Sequence, residues 1–314
     1  MMDNSKADRG VVDRLEAAGI SPETFEQISV TKDGDEIVYR VVTRTRTVFV
    51  RTIHPSREEG VRDVLLSDID IGLPRSRLLD GDPPLLVMER AKGRPLSVLL
   101  PIYLLPVFWR LKSDGLAAGF ESLGRYHGRL HAANATDTVR VAENSTYASK
   151  TELSASIKDQ LGPTIDRIEP WLGRVQDMEL VCGFVHSDPT PHNIYYRSGD
   201  VELIDMDLKR TAVIKDRLAF ECGIELMTNR LPYGRSSQSA TLLNAYDSGY
   251  DATGDSSKTP YWGYLTLKIA HYSWILEIYL SGENTALRDR LTTLTDTKII
   301  TRRIEELIDL LETP

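Results

Sequence analysis

The sequence predicts an α+β fold in two lobes: a small N-terminal antiparallel sheet with a helix, then a larger, mainly helical C-terminal part. Two patterns carry that expectation. Three β-type runs follow one another between residues 25 and 53, namely Ile28-Ser29-Val30, Ile37 to Val42 and Thr47 to Arg51. From residue 119 onward apolar residues recur at helical spacing, interrupted by one short hairpin pattern near residue 200. At 314 residues the chain exceeds one average domain and falls short of two large ones, which two lobes fit, and the Gly93-Arg94-Pro95 connection places the expected division at 1–92 and 93–314.

Taken in order, residues 9–19 place Val11, Val12, Leu15 and Ala18 on one helical face, and Gly19 closes that helix. Three antiparallel strands come next, the first two joined by the turn Lys32-Asp33-Gly34-Asp35. Ser56-Arg57-Glu58-Glu59 opens a helix whose apolar face is Val61, Val64 and Leu65. Leu85 to Met88 reads as a buried strand running through Glu89-Arg90 into a Gly93-Arg94-Pro95 connection. The apolar run Val98 to Trp109 contains Pro101 and Pro106 and stops at Arg110, too short and broken to span a bilayer. It is expected to be buried or to line a groove, with membrane-surface docking as the alternative.

Residues 119–135 form a helix with Phe120, Leu123, Tyr126 and Leu130 on its face, and residues 151–180 add amphipathic helix. His127 and His131 are four apart, but zinc is not expected, because Gly128 stands where the metalloprotease motif needs glutamate. The polar stretch 247–260 reads as a loop. Helices return at Tyr261 to Leu280 and at Lys298 to Leu311, the latter with Ile300, Ile304, Leu307, Ile308 and Leu311 on one stripe.

Composition narrows the function. With 41% hydrophobic and 27% charged residues the chain can bury a sizeable core. A net charge of −8 argues against a nucleic-acid surface and leaves small molecules as the expected partners. Cys182 and Cys222 lack metal-ligand spacing and are expected as buried free thiols, which suits a reducing cytoplasm. The first residues, Met1 to Lys6, lack the apolar core of a signal peptide.

The chemistry is concentrated in His186-Ser187-Asp188-Pro189-Thr190-Pro191-His192-Asn193 and, after a short hairpin, Leu203-Ile204-Asp205-Met206-Asp207. Asp-x-x-x-x-Asn matches the catalytic loop of kinases. Ile194-Tyr195-Tyr196, the turn residues Arg197-Ser198-Gly199-Asp200, and Val201 to Ile204 form a β-hairpin pattern. A hairpin returns the chain to its starting end, so Asn193 and Asp205 are expected as neighbours able to hold one metal cluster. Kinases need a carboxylate for the acceptor hydroxyl, plus an amide oxygen and a second carboxylate for Mg²⁺. Asp188, Asn193 and Asp205 supply them in that order.

On these residues the chain resembles the aminoglycoside phosphotransferase and choline-kinase type of small-molecule kinases, which share the protein-kinase fold. It departs at Ser187, where glycine is usual, and at Met206, where an aromatic is usual. The second acid, Asp207, is similar to the arrangement in lipopolysaccharide sugar kinases. The resemblance implies ATP and Mg²⁺ as cofactors and a small-molecule or glycan hydroxyl as acceptor. It makes the turn at Lys32 to Asp35 the nucleotide-covering loop and puts Arg51 on the third strand against the phosphates. Glu58, with Glu59 as fallback, is then the partner that positions Arg51, and Met88, Glu89 and Arg90 meet the adenine through their backbone. His186 supports the loop, Asp207 assists the metal site or binds the next turn, His192 is left without an assignment, and Asp216 anchors the catalytic loop.

Three readings stand beside this one. Arg51 in place of lysine and a glycine-poor loop suit a nucleotide-binding pseudokinase with a regulatory or scaffold role, whereas the complete set of Asp188, Asn193 and Asp205 opposes it. A metal-dependent hydrolase built on His186, Asp188, His192 and Asp205 lacks further histidines in ligand spacing. Ordinary turn chemistry explains an isolated Asp-x-x-x-x-Asn. Asp247, Asp251 and Asp255 would attract a cationic acceptor or belong to a solvated loop.

Overall fold

The computed structural model describes residues 4–30, 36–67, 69–135, 137–206, 208–253, 259–281 and 294–313. Helix α1 (Asn4–Ala17) ends at Gly19, whose φ of +78° lies in the left-handed region that glycine enters without steric cost. The strands β1 (Thr24–Val30), β2 (Ile37–Val42) and β3 (Thr47–Thr52) are antiparallel as expected. Helix α2 (Pro55–Leu66) starts under the cap of His54. Strands β4 (Ser76–Leu79) and β5 (Leu85–Glu89) complete a five-stranded sheet in the order β1-β2-β3-β5-β4. Strand β4 was not expected, because four residues with two arginines nearby carry too little alternation to read.

The period of two along each strand divides this sheet into a buried and a working face. Tyr39, Val41, Val48, Val50, Leu85 and Val87 pack with Val11 and Leu15 of α1. The residues between them, including Val38, Phe49, Arg51 and Met88, face a cleft.

Past the link, β6 (Arg94–Pro95) leads into α3 (Leu96–Tyr103) and α4 (Pro106–Asn134). The expected helix at 119–135 is thus the second half of one 29-residue helix. The apolar run at 98–109 is only half buried. Leu96, Leu99, Leu100 and Leu104 enter the core, while Val98, Ile102, Val107, Phe108 and Leu111 are exposed. Its hydrophobic residues surround the helix, and only one side finds a neighbour. No helix among the described residues is long and apolar enough to cross a membrane.

Strand β7 (Asp137–Arg140), helices α5 (Ser145–Thr151), α6 (Ala155–Leu161) and α7 (Ile165–Val175), and strand β8 (Glu179–Val185) lead to the catalytic-loop motif. Strands β9 (Ile194–Arg197) and β10 (Asp200–Leu203) form the expected antiparallel hairpin, turning at Ser198 and Gly199 with φ of +53° and +92°. Strand β11 (Lys209–Ala212) pairs with β8.

Helices α8 (Ile214–Arg230), α9 (Ser236–Asp251), α10 (Tyr261–Ser281) and α11 (Leu294–Glu312) finish the lobe. The expected loop at 247–260 is corrected at its start, where α9 continues to Asp251. Tertiary contact overrides the polar composition there. A Cβ on Gly249 would stand 1.9 Å from the Glu121 carbonyl oxygen, and one on Gly124 would stand 2.0 Å from that of Tyr246. Two glycines therefore let α4 and α9 touch backbone to backbone. Cys222 is buried and Cys182 partly so, both as free thiols.

Candidate active site

The loop after β8 is held from beneath by one carboxylate. Asp216, fully buried at the start of α8, accepts the backbone N–H of His186 at 2.6 Å and of Ser187 at 2.8 Å. His131 on α4 holds the same carboxylate, Nε2 to Oδ2 at 3.1 Å. Burial works against the ionised form, but the hydrogen bond from His131 and the neighbouring histidines hold Asp216 well below the usual carboxylate range. The anchoring expected of Asp216 is present. His131 lies 85 residues away in sequence, and its pairing with Asp216 has no local signature there.

That anchor supports a strained turn. Ser187 has φ of +79°, and Asp188 follows it with its N–H donated to His186 Nδ1 at 3.3 Å. His186 is buried, which lowers its pKa and favours the neutral ring that can accept this bond. The ring of His186 thereby bonds the backbone of the loop it belongs to. Asp188 is pushed above its ordinary pKa, chiefly by burial, with the charge of Asp205 adding to the effect.

Asn193 Nδ2 donates to both the carbonyl oxygen and Oδ2 of Asp188, each at 3.0 Å. Using its amide nitrogen this way leaves Oδ1 as the atom available to a metal. The hairpin register pairs Ile194 with Leu203, and the Ile204 N–H donates to Asn193 O at 3.0 Å. Asp205 thus leaves the ladder one residue beyond Asn193's partner, turning away with φ of +57°, a conformation aspartate tolerates better than most residues.

Arg51 reaches this point from the sheet, with NH1 to Asp205 Oδ1 at 2.8 Å. The other side of its guanidinium meets Glu36, Nε at 2.8 Å and NH2 at 2.7 Å. Such two-pronged pairing is open to arginine and closed to lysine. Glu36 is fully buried and also accepts from Arg57 and from the His54 N–H.

The expected partner, Glu58, is a correction. It accepts from Arg62 at 2.8 Å on the outer side of α2, whose inward residues are Gly60, Val61 and Val64. Strand register explains the exchange. Arg51 pairs with Val38, and Glu36 lies two residues earlier along the same face, at the diagonal position where long side chains meet.

A cleft of about 470 Å³ gathers Arg51, Asn193 and Asp205 at one end and Met88, Glu89 and Arg90 at the other, walled by Val38, Phe49, Tyr195 and Ile204. The side chain of Glu89 pairs with Arg46, which leaves its backbone as the part that concerns a ligand. His192 is exposed. Asp207, the Lys32 to Asp35 turn and Asp255 lie outside the described residues.

The donor set suits a magnesium held with nucleotide phosphates. Among the described residues no group of three or more His, Cys, Asp or Glu is arranged to hold a metal. One carboxylate and one amide oxygen are what remains when phosphate and water supply the other oxygens, the usual manner for Mg²⁺.

No family model and no curated protein matches the sequence. Solved structures do. An amicoumacin kinase in complex with AMP-PNP and Ca²⁺ is similar over 100% of this chain and 97% of its own, with 16% identity and a TM-score of 0.56. An aminoglycoside phosphotransferase in ternary complex with AMP-PNP and hygromycin B is similar over 97% and 100%, with 12% identity and a TM-score of 0.55. A glucosamine kinase in complex with glucosamine, ADP and inorganic phosphate is similar over 96% and 83%, with 15% identity and a TM-score of 0.63. At such identities the likeness establishes the fold: the two-lobed α+β architecture of these small-molecule kinases.

Proposed function

We propose that this chain is an ATP- and Mg²⁺-dependent phosphotransferase that moves the γ-phosphoryl group to a hydroxyl of a small molecule or glycan. The observation that carries the reading is convergence: Arg51, Asn193 and Asp205 line one apolar-walled cleft, with Asp205 bonded to Arg51 and Asp188 bonded to Asn193. In this reading residues 1–92 bind nucleotide and residues 93–314 carry the catalytic loop and the acceptor side. Three neighbours in fold were solved with AMP-PNP or ADP, which supports a nucleotide of that class, and among them are complexes with hygromycin B and with glucosamine.

Each side chain then has a task set by its surroundings. Arg51, fixed by Glu36, offers a planar pair of donors to phosphate oxygens. Asn193 Oδ1 and the Asp205 carboxylate would hold magnesium, which when bound neutralises charge on the phosphate oxygens. Asp188 orients the acceptor hydroxyl and takes its proton, and the partial burial that raises its pKa makes it a better base. Met88 to Arg90 present backbone groups to the base.

The test is a pair of substitutions. Asp205→Ala is expected to abolish Mg²⁺-dependent ATP binding in calorimetry with the fold intact. Asp188→Asn is expected to keep Mg-ATP affinity and lose about 10²–10⁴-fold in transfer, the range for a general base, in an ATP-consumption screen across hydroxyl compounds. Undiminished Mg-dependent binding in Asp205→Ala would remove that residue from the site. A wild-type chain that binds Mg-ATP, phosphorylates nothing and is unchanged by Asp188→Asn would instead be a regulatory pseudokinase.

A further inference from the structure

Among the described residues, two lysines of the helical lobe are more than nine-tenths buried, and their surroundings differ. Lys268 on α10, 5% exposed, lies 2.7 Å from Glu221 and 3.0 Å from Glu225. Its charge is matched within the fold. Lys150 on α5, 8% exposed, has no carboxylate within ion-pair distance among the described residues. Its Nζ lies 3.1 Å from Nδ1 of His271, 4.2 Å from the ring centre of Trp274 and 5.5 Å from that of Tyr147.

These neighbours accommodate an ammonium without neutralising it. His271 is buried and kept neutral by that burial and by the charge of Lys150, so its Nδ1 accepts one of the three hydrogens. The aromatic faces attract the cation weakly. Burial first, and the charge of Lys215 second, bring Lys150 down to about 8, which leaves it mostly protonated at neutral pH. A buried cation without a counter-ion is costly unless an anion reaches it.

Its position says which anion. Lys215, near enough to oppose Lys150 electrostatically, donates through Nζ to Ser187 Oγ at 2.8 Å, and Ser187 immediately precedes Asp188. Trp274, whose ring the Lys150 ammonium faces, is 40% exposed, so one wall of the Lys150 group lies at the protein surface. Asp247, one of the acids that would attract a cationic acceptor, is instead bound to Arg217 at 2.9 Å.

We propose that the phosphoryl acceptor carries a carboxylate, seated on the Lys150 ammonium beside Trp274, with its hydroxyl directed to Asp188. This rests on the phosphotransferase reading and narrows it to hydroxylated carboxylic acids over polyamines and neutral polyols. Lysine suits the task as a compact point charge that a single carboxylate satisfies.

The experiment is calorimetry on the full chain with matched probes: gluconate and glycerate, glucose and glycerol, glucosamine and serinol. The carboxylates are expected to bind at least tenfold tighter than their neutral and cationic counterparts, and Lys150→Met to erase that preference. Because the substitution removes an unmatched buried charge, the variant is expected to melt no earlier than wild type, which separates lost recognition from lost folding. Equal affinity across the three classes, no carboxylate binding, a preference that survives Lys150→Met, or a lowered melting point in that variant would each overturn the assignment. Mg-ATP titrated into the same preparation keeps the two readings apart. Mg-ATP binding without carboxylate preference refutes the acceptor class alone, and carboxylate binding at Lys150 without Mg-ATP binding refutes the phosphotransferase and leaves an anion site.

Discussion

Replacing Glu36 by glutamine tests the assignment of the Arg51 counter-ion. Glu36 has no exposed surface, and it faces two guanidinium groups, Arg51 (4% exposed) and Arg57, as well as the His54 N–H. Glutamine keeps the shape and one acceptor oxygen but removes the charge and turns a donor toward two donors. Breaking a buried ion pair by removing one partner costs about 3–5 kcal/mol. At roughly 2 °C per kcal/mol, the low end for large chains, the melting midpoint should fall by about 6–10 °C. Glu58→Gln should behave differently, since it loses a half-exposed helix pair with Arg62, worth about 0.3–0.5 kcal/mol. Thermal unfolding of both variants, followed by calorimetry with ATP, reads the contrast. Only Glu36→Gln should weaken ATP, because Arg51 loses the group that fixes its fork. Equal melting points, or a larger loss of ATP affinity in Glu58→Gln, would refute the reasoning.

Arg51→Met should weaken ATP far more than adenosine, because adenosine lacks the anionic oxygens its donors would meet; equal losses in binding titrations would assign it a general structural role. Stability should fall as pH drops below about 6.5, since burial lowers the His127 pKa to about 3 and the unfolded chain then takes up a proton that the folded chain does not. This contribution is intact above the unfolded value and lost progressively toward the folded one at about 1.4 kcal/mol per pH unit, so His127→Gln should lessen the fall in denaturation midpoints between pH 6.5 and 4.5, with buried His186 and His271 keeping the remainder. Gly249→Val should unfold well before wild type, because its side chain meets the α4 backbone with no flexible neighbour to yield; an unchanged melt would refute the backbone contact.

What could be read from the sequence was local. Asp188, Asn193 and Asp205 are tied by a loop of fixed length and a hairpin whose turn chemistry sets the register, so their meeting follows from spacing alone. The pairing of Arg51 depends instead on how β2 aligns with β3, and one step of register would put Glu36 on the other face. His131 meets Asp216 only after α4 has packed beside α8, a relation no window of sequence contains. The end of α9 was hidden because Asp247, Ser248 and Asp251 resemble loop residues, while Gly249 and Tyr250 carry the packing. Lys150 gave no signal, since an isolated lysine on a short helix ordinarily points to water.

The location of Glu36 bears on control. In protein kinases the phosphate-gripping cation pairs with a glutamate on a mobile helix, so displacing that helix disarms the enzyme. Here Arg51 is paired with Glu36, which immediately precedes β2 and lies two residues from Val38, the register partner of Arg51. Helix α2 reaches Glu36 through Arg57, and an outward swing would break that contact while Arg51 and Glu36 stayed paired. If the proposed phosphotransferase reading holds, moving α2 alone would leave the Arg51–Glu36 pair in place, unlike the helix-borne glutamate of protein kinases.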